Sequence, residues 1–152
     1  VNRTLLLCRL SRQKFKPERS ITHNPSPQHP TVPTAESEAA AISHGIELFN
    51  SQKFFDAHEA WEAVWLKAKE PDKKFLQGLI QISAAFHHRS RDNQKGFESL
   101  LRAGLIKIEH APSNHRGMDF HAIRIVAREW LKAIEDGGEL EPRTLPQIIR
   151  VK

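Results

Sequence analysis

Phe54-Phe55-Asp56-Ala57-His58-Glu59-Ala60-Trp61-Glu62-Ala63-Val64-Trp65 is the densest stretch of the chain, with one histidine, three carboxylates, two tryptophans and two phenylalanines in twelve residues. At 3.6 residues per turn, His58, Trp61, Glu62 and Trp65 stand at i, i+3, i+4 and i+7 and share one face of a helix. A tryptophan stripe of this kind faces a core, so it carries His58 and Glu62 to the core or its rim, where each needs a partner. Asp56 is expected as the N-cap, with Glu59 three residues on completing a capping box. The helix is expected to run to about Lys69, because Pro71 pushes Glu70 out of helical geometry.

The flanking segments read as helices of the same bundle. Before the stretch, Ile42, Ile46 and Phe49 give a buried stripe to a helix from about Ser37 to Asn50. After it, Pro71-Asp72 opens a third helix to about Arg89, whose broad stripe of Phe75, Leu76, Leu79, Ile80, Ile82 and Phe86 marks it as central. Gly78 inside that helix costs about 1 kcal/mol relative to alanine, so it is expected to admit the close approach of another helix, or of a tryptophan such as Trp61 or Trp65. Gln77, Gln81 and His88 line a second face, with His87 beside it. A fourth helix spans about Gln94 to His110 on Phe97, Leu100, Leu101, Leu105 and Ile108. A loop through His115 to Gly117 leads to a fifth, capped by Asp119 and ended by Gly137-Gly138. No segment alternates with period two for long enough to make a strand, so the expected fold is all-α, a compact bundle of about five helices.

Composition divides the chain before it says anything of function. Residues 1–35 hold five of the nine prolines and are expected to be a disordered, proline-rich basic leader, because such a segment buries too little apolar surface to offset its ordering entropy. Leu5 to Leu10 among arginines faintly resembles an organellar transit peptide, and the plainer expectation is an upstream extension with no fold. Residues 36–138 make the helical domain and 139–152 an irregular tail. The leader takes six of the 23 basic and one of the 18 acidic residues, leaving 17 of each. The net charge of +5 therefore belongs to the leader, and a nucleic-acid partner is not expected of the neutral domain. The lone Cys8 rules out a disulfide framework and a cysteine-zinc cluster, which fits a cytoplasmic setting. The apolar runs are far short of the ~20 residues that cross a bilayer. A homo-oligomer stays open.

The candidate chemistry sits on the second and third helices. His58 and Glu62, one turn apart, have a spacing that lets imidazole and carboxylate share a metal ion. His87 or His88 would complete a set of two histidines and one carboxylate if the helices pack antiparallel, and His121 is a further candidate. The expected cofactor is then a divalent metal ion on His58, Glu62 and His87, with a small ligand as the other occupant. The pattern matches neither the two-histidine helix of zinc proteases nor the Glu-x-x-His of di-iron bundles. His58 is expected to be neutral near its helix start, where the dipole disfavours protonation. A rival reading makes the domain a structural or protein-interaction module, in which the His/Glu/Gln cluster only clamps helix packing. His44, His110 and His115 are expected in solvent. No glycine-rich phosphate loop or nucleophile-elbow serine is present, and no reaction is legible.

Phe55-Asp56-Ala57-His58-Glu59-Ala60-Trp61-Glu62, Phe75-Leu76-Gln77-Gly78-Leu79-Ile80-Gln81, Ala84-Ala85-Phe86-His87, and Asn93 with Gly96 occur in that order. Together they resemble the bacterial domain-of-unknown-function family number three-hundred-and-nine over about residues 40–135. The resemblance implies a small all-helical cytoplasmic domain. It marks His58, Glu59, Glu62, Gln77, Gly78, Gln81 and His87 as signature positions and implies no activity.

Overall fold

Twelve consecutive residues, Phe75 to Phe86, are buried, so the helix that carries them is enclosed on all sides. In the computed structural model, which describes residues 35–137 and 145–151, this is the third of five helices among the described residues. They are α1 (Ala35–Asn50), α2 (Phe54–Trp65), α3 (Asp72–Arg89), α4 (Gln94–Ile108) and α5 (Phe120–Glu135). The fold is the expected all-α bundle. The expected leader, apart from Ala35, lies outside the described residues, as do Gly138 and the tail's first residues to 144.

A run of aromatic rings ties the helices together. Phe49 of α1 meets Phe54 of α2 edge-on at 5.2 Å, and Phe54 meets Phe86 of α3 at 5.4 Å. Phe86 in turn meets Phe97 of α4 at 5.3 Å and Trp130 of α5 at 5.8 Å. Each such pair adds about 0.5–1.5 kcal/mol beyond the area it buries. Trp61 lies against α1, where Gly45 makes room for it and the indole N–H donates to the Ile42 carbonyl at 3.2 Å.

Gly78 is a packing glycine, as expected, and of the two expected neighbours it is another helix, α4, that approaches it. A Cβ there would stand 2.5 Å from Ile108 Cγ2 and 3.0 Å from the Gly104 carbonyl oxygen. Gly104 is its counterpart, since a Cβ on it would lie 2.8 Å from the Gly78 oxygen.

Two helix ends differ from the expectation. α2 starts at Phe54 with Lys53 as N-cap and no side-chain cap bond, so Asp56 sits inside the first turn and the capping box is not formed. The cause is Phe54, whose burial against Phe49 and Phe86 draws it into the helix. α2 also ends at Trp65, four residues early, because the mostly exposed residues beyond it have no core to follow. Asp119 caps α5 as expected, accepting from the backbone N–H groups of His121 and Ala122.

The expected loop after α4 contains a short antiparallel ribbon, β1 (Asn114–His115) and β2 (Met118–Asp119). Arg116 and Gly117 both take positive φ, 49° and 72°, as a two-residue hairpin turn requires. Residues 148–151 run beside β2: Ile149 accepts from the Asp119 N–H, and Val151 donates to the Gly117 carbonyl. Asn50 holds this segment from the other side, its amide both donating to and accepting from Ile148. No helix among the described residues is long and apolar enough to cross a membrane.

Candidate functional site between the second and third helices

α2 and α3 run antiparallel, as the sequence reading required. Phe55 lies 5.3 Å from the His87 ring at one end, and Lys73 Nζ stands 5.0 Å over the Trp65 ring at the other. On α3, Lys73 and His87 mark the flank turned to α2, whereas Gly78 and Ile82 mark the flank turned to α4. By helical phase, Gln77, Gln81 and His88 run between those flanks.

His58 and His87 are brought to the same place. His58 is 6% exposed and stacks on Phe55 at 6.0 Å, so one phenylalanine stands against both imidazoles. Glu62 is half-buried and Glu59 exposed, while Gln77 and Gln81 are buried. His121 lies exposed at the start of α5. Among the described residues no three His, Cys, Asp or Glu side chains are grouped so as to hold a metal ion, and His58, Glu62 and His87 do not converge as a ligand set. His58 is the fifth residue of α2, beyond the first turn where the dipole argument applies.

Several buried polar atoms along α2 and α3 have no hydrogen-bond partner among the described residues: Gln81 Oε1, Trp65 Nε1 and Ser83 Oγ. Each such atom costs about 1–3 kcal/mol. No side-chain hydrogen bond among the described residues joins Glu62 to Gln77 or Gln81.

The histidines at the end of α3 are held towards the neutral form. Burial is the main cause for His87, reinforced by the positive charge of Arg91 and by His88 and His58, with Asp56 opposing. For His88 the cause is again burial, followed by Arg91. Asn93 caps α4 by accepting from the Gly96 N–H at 2.9 Å, so its amide nitrogen is the group that meets His88 Nδ1 at 3.0 Å. His88 Nδ1 therefore accepts, and the ring proton resides on Nε2.

Sequence reasoning missed a second polar cluster. His115, expected in solvent, is only 22% exposed at its side chain, and its Nε2 pairs with Asp72 Oδ1 at 2.5 Å. Arg116 donates to the other carboxylate oxygen through Nε at 2.6 Å. Burial works against the Asp72 charge, but the bonds and positive charges of His115 and Arg116 outweigh it and hold the carboxyl below its ordinary 3.8. The partners are 43 and 44 residues from Asp72, and the only local signal was an Arg-Gly pair suited to a tight turn.

Known proteins resemble this chain at the same elements. The model of the family described as Domain of unknown function (DUF309) matches residues 42–100, from α1 into α4. An uncharacterised protein of Aquifex aeolicus (strain VF5) is 30% identical over 105 residues, covering 68% of this chain and 32% of its own length. The uncharacterised YpuF of Bacillus subtilis (strain 168) is 25% identical over 112 residues, covering 70% of this chain and 63% of its own. The chain thus spans about a third of the first relative and under two thirds of the second. The crystal structure of a conserved hypothetical protein from Thermus thermophilus superposes with a TM-score of 0.53 at 31% identity, covering 60% of this chain and 95% of that one. With the family model matched from α1 into α4 and 95% of that structure covered at 31% identity, the chain belongs to the domain-of-unknown-function family DUF309.

Proposed function

We propose that the α2–α3 seam and the adjoining polar face of α3 bind a small polar organic molecule through Gln81, with Gln77 on the same face, His58 and His87 on the α2 side and Glu62 at the rim. The observation that carries this reading is Gln81 Oε1, an acceptor on a side chain 4% exposed with no partner among the described residues. A clamp would pair such groups with one another, and a metal would need three grouped donors. The ligand must offer Gln81 a hydrogen-bond donor. Functional polar groups of this kind cost the empty protein stability.

The test is a pair of melts. Gln81→Leu should be as stable as wild type or more so, because it removes an unpaired buried atom at little cost in volume. A thermal-shift screen of polar metabolites should find compounds that raise the wild-type melting temperature and leave Gln81→Leu unmoved. A strongly destabilised Gln81→Leu together with a silent screen would instead establish the clamp. Zinc, manganese and iron should leave the wild-type melt where it is.

A further inference from the structure

A cleft of about 570 Å³ opens elsewhere in the domain, between α1 and the ribbon with its docked segment. Its size is that of a small-molecule site. Ala39, Ile42 and Ile46 line it from α1, and Arg116, Arg150 and Val151 line it from the ribbon and the docked segment. Ile42 and Ile46 are core residues whose edges reach the cleft.

The two arginines are held in position yet not used up. Arg116 spends Nε and Nη2 on Asp72, and among the described residues its Nη1 has only Glu38, at 3.9 Å. Among the described residues, Arg150 reaches the Ser43 carbonyl at 3.2 Å and Glu47 at 3.5 Å, both through Nη2. That leaves Nε and Nη1 of Arg150 and most of Nη1 of Arg116 as donors. A guanidinium fixed along one edge presents its other N–H groups with less side-chain entropy to lose. The nearby carboxylates also matter for selectivity: they cancel much of the positive charge, so a bare anion gains little here without an apolar body to bury.

We propose that this cleft is a binding site for an amphiphilic carboxylate, its head on Arg150 and Arg116 and its apolar body against Ala39, Ile42, Ile46 and Val151. The site is separate from the α2–α3 seam, and the proposal stands whether or not the seam binds a ligand.

The experiment titrates the full chain with hexanoate, hexan-1-ol and inorganic phosphate, following amide resonances by NMR. Hexanoate should shift Ala39 to Ile46, Gly117 and Ile148 to Val151 in a saturable way, while the alcohol and phosphate leave them in place. Arg150→Met should weaken hexanoate by about ten-fold or more, the worth of a charge-assisted hydrogen bond. Ala39→Phe, which fills the cleft while keeping both arginines, should abolish binding in a protein that still melts cooperatively. The proposal is overturned by equal shifts with hexan-1-ol, which would mean an apolar crevice only. Equal shifts with phosphate, no response to hexanoate, or undiminished binding by Ala39→Phe would overturn it too.

Discussion

On its α4 flank, α3 brings backbone against backbone: Gly78 and Gly104 each present a carbonyl where the other would carry a Cβ, and Ile82 and Ile108 close over them. On its α2 flank the two helices are held apart by side chains, with Phe55 against His87 at one end and Lys73 over Trp65 at the other. The first contact is apolar, specific and complete. Along the second lie polar atoms that the helices do not satisfy between themselves. A bundle this small gains its rigidity where backbones touch, and can then tolerate unpaired polar groups where they do not.

The sharpest way to break the contrast is at the glycines. Gly78→Ala and Gly104→Ala each face a fixed carbonyl oxygen, so each should lose about 1–3 kcal/mol in urea unfolding despite the gain in helix propensity. The double mutant should cost less than the sum, since one forced separation serves both. A stabilised Gly78→Ala would show that the crossing is loose and that the flanks are alike.

On the polar side the sign should reverse. Ser83 is fully buried and its hydroxyl has no partner among the described residues, so Ser83→Ala should raise stability by about 1 kcal/mol in the same assay. A destabilised Ser83→Ala would mean that the hydroxyl is paired and that the α2 side is as complete as the other.

Smaller effects come from pH. The folded pKa values of His87 and His88 lie below the ordinary 6.5, so the unfolded chain binds more protons in that range. Stability should be level above about pH 6.5 and fall as pH drops through the folded values. A second loss belongs to Asp72, whose stabilisation is present above 3.8 and disappears as its depressed folded pKa is crossed. Urea midpoints from pH 8 to 3 should show both steps, and His87→Asn should shrink the first without touching the second. The least change is expected from Asp56→Asn, about 0.5 kcal/mol, because Asp56 serves the helix dipole and not a cap. A loss of about 2 kcal/mol there would restore the capping box.

What was legible in the sequence is what a single helix reports about itself. The stripe of α3, the cap at Asp119 and the anomalous Gly78 are all local signals, and each is found in place. The partner of Gly78 was not legible, because Gly104 shows only that a second helix also tolerates a glycine. The start of α2 was misjudged because Phe54 is recruited by rings on α1 and α3, which outweigh the preference of Asp56 for a cap. His115 looked like a loop residue because nothing near it announces Asp72. In the α2–α3 seam the antiparallel pairing was a condition that spacing did not settle, and His87 was one of two histidines that could meet His58. That Phe55 would stand against both imidazoles depends on side-chain packing, which spacing does not encode.

The clasp between Asn50 and Ile148 spans 98 residues, whereas the aromatic run and the glycine crossing are built largely from helices adjacent in the chain. Neighbouring helices can therefore associate in the order of synthesis, each loop closure being short and cheap in entropy. The last turn of α1 must wait. Until residues 145–151 have left the ribosome, the Asn50 amide lacks its Ile148 partner, and the ribbon lacks the segment that covers one edge. A nascent chain halted just short of them would display a nearly finished bundle with an open β-edge, the form in which this domain is most exposed to pairing with a stranger.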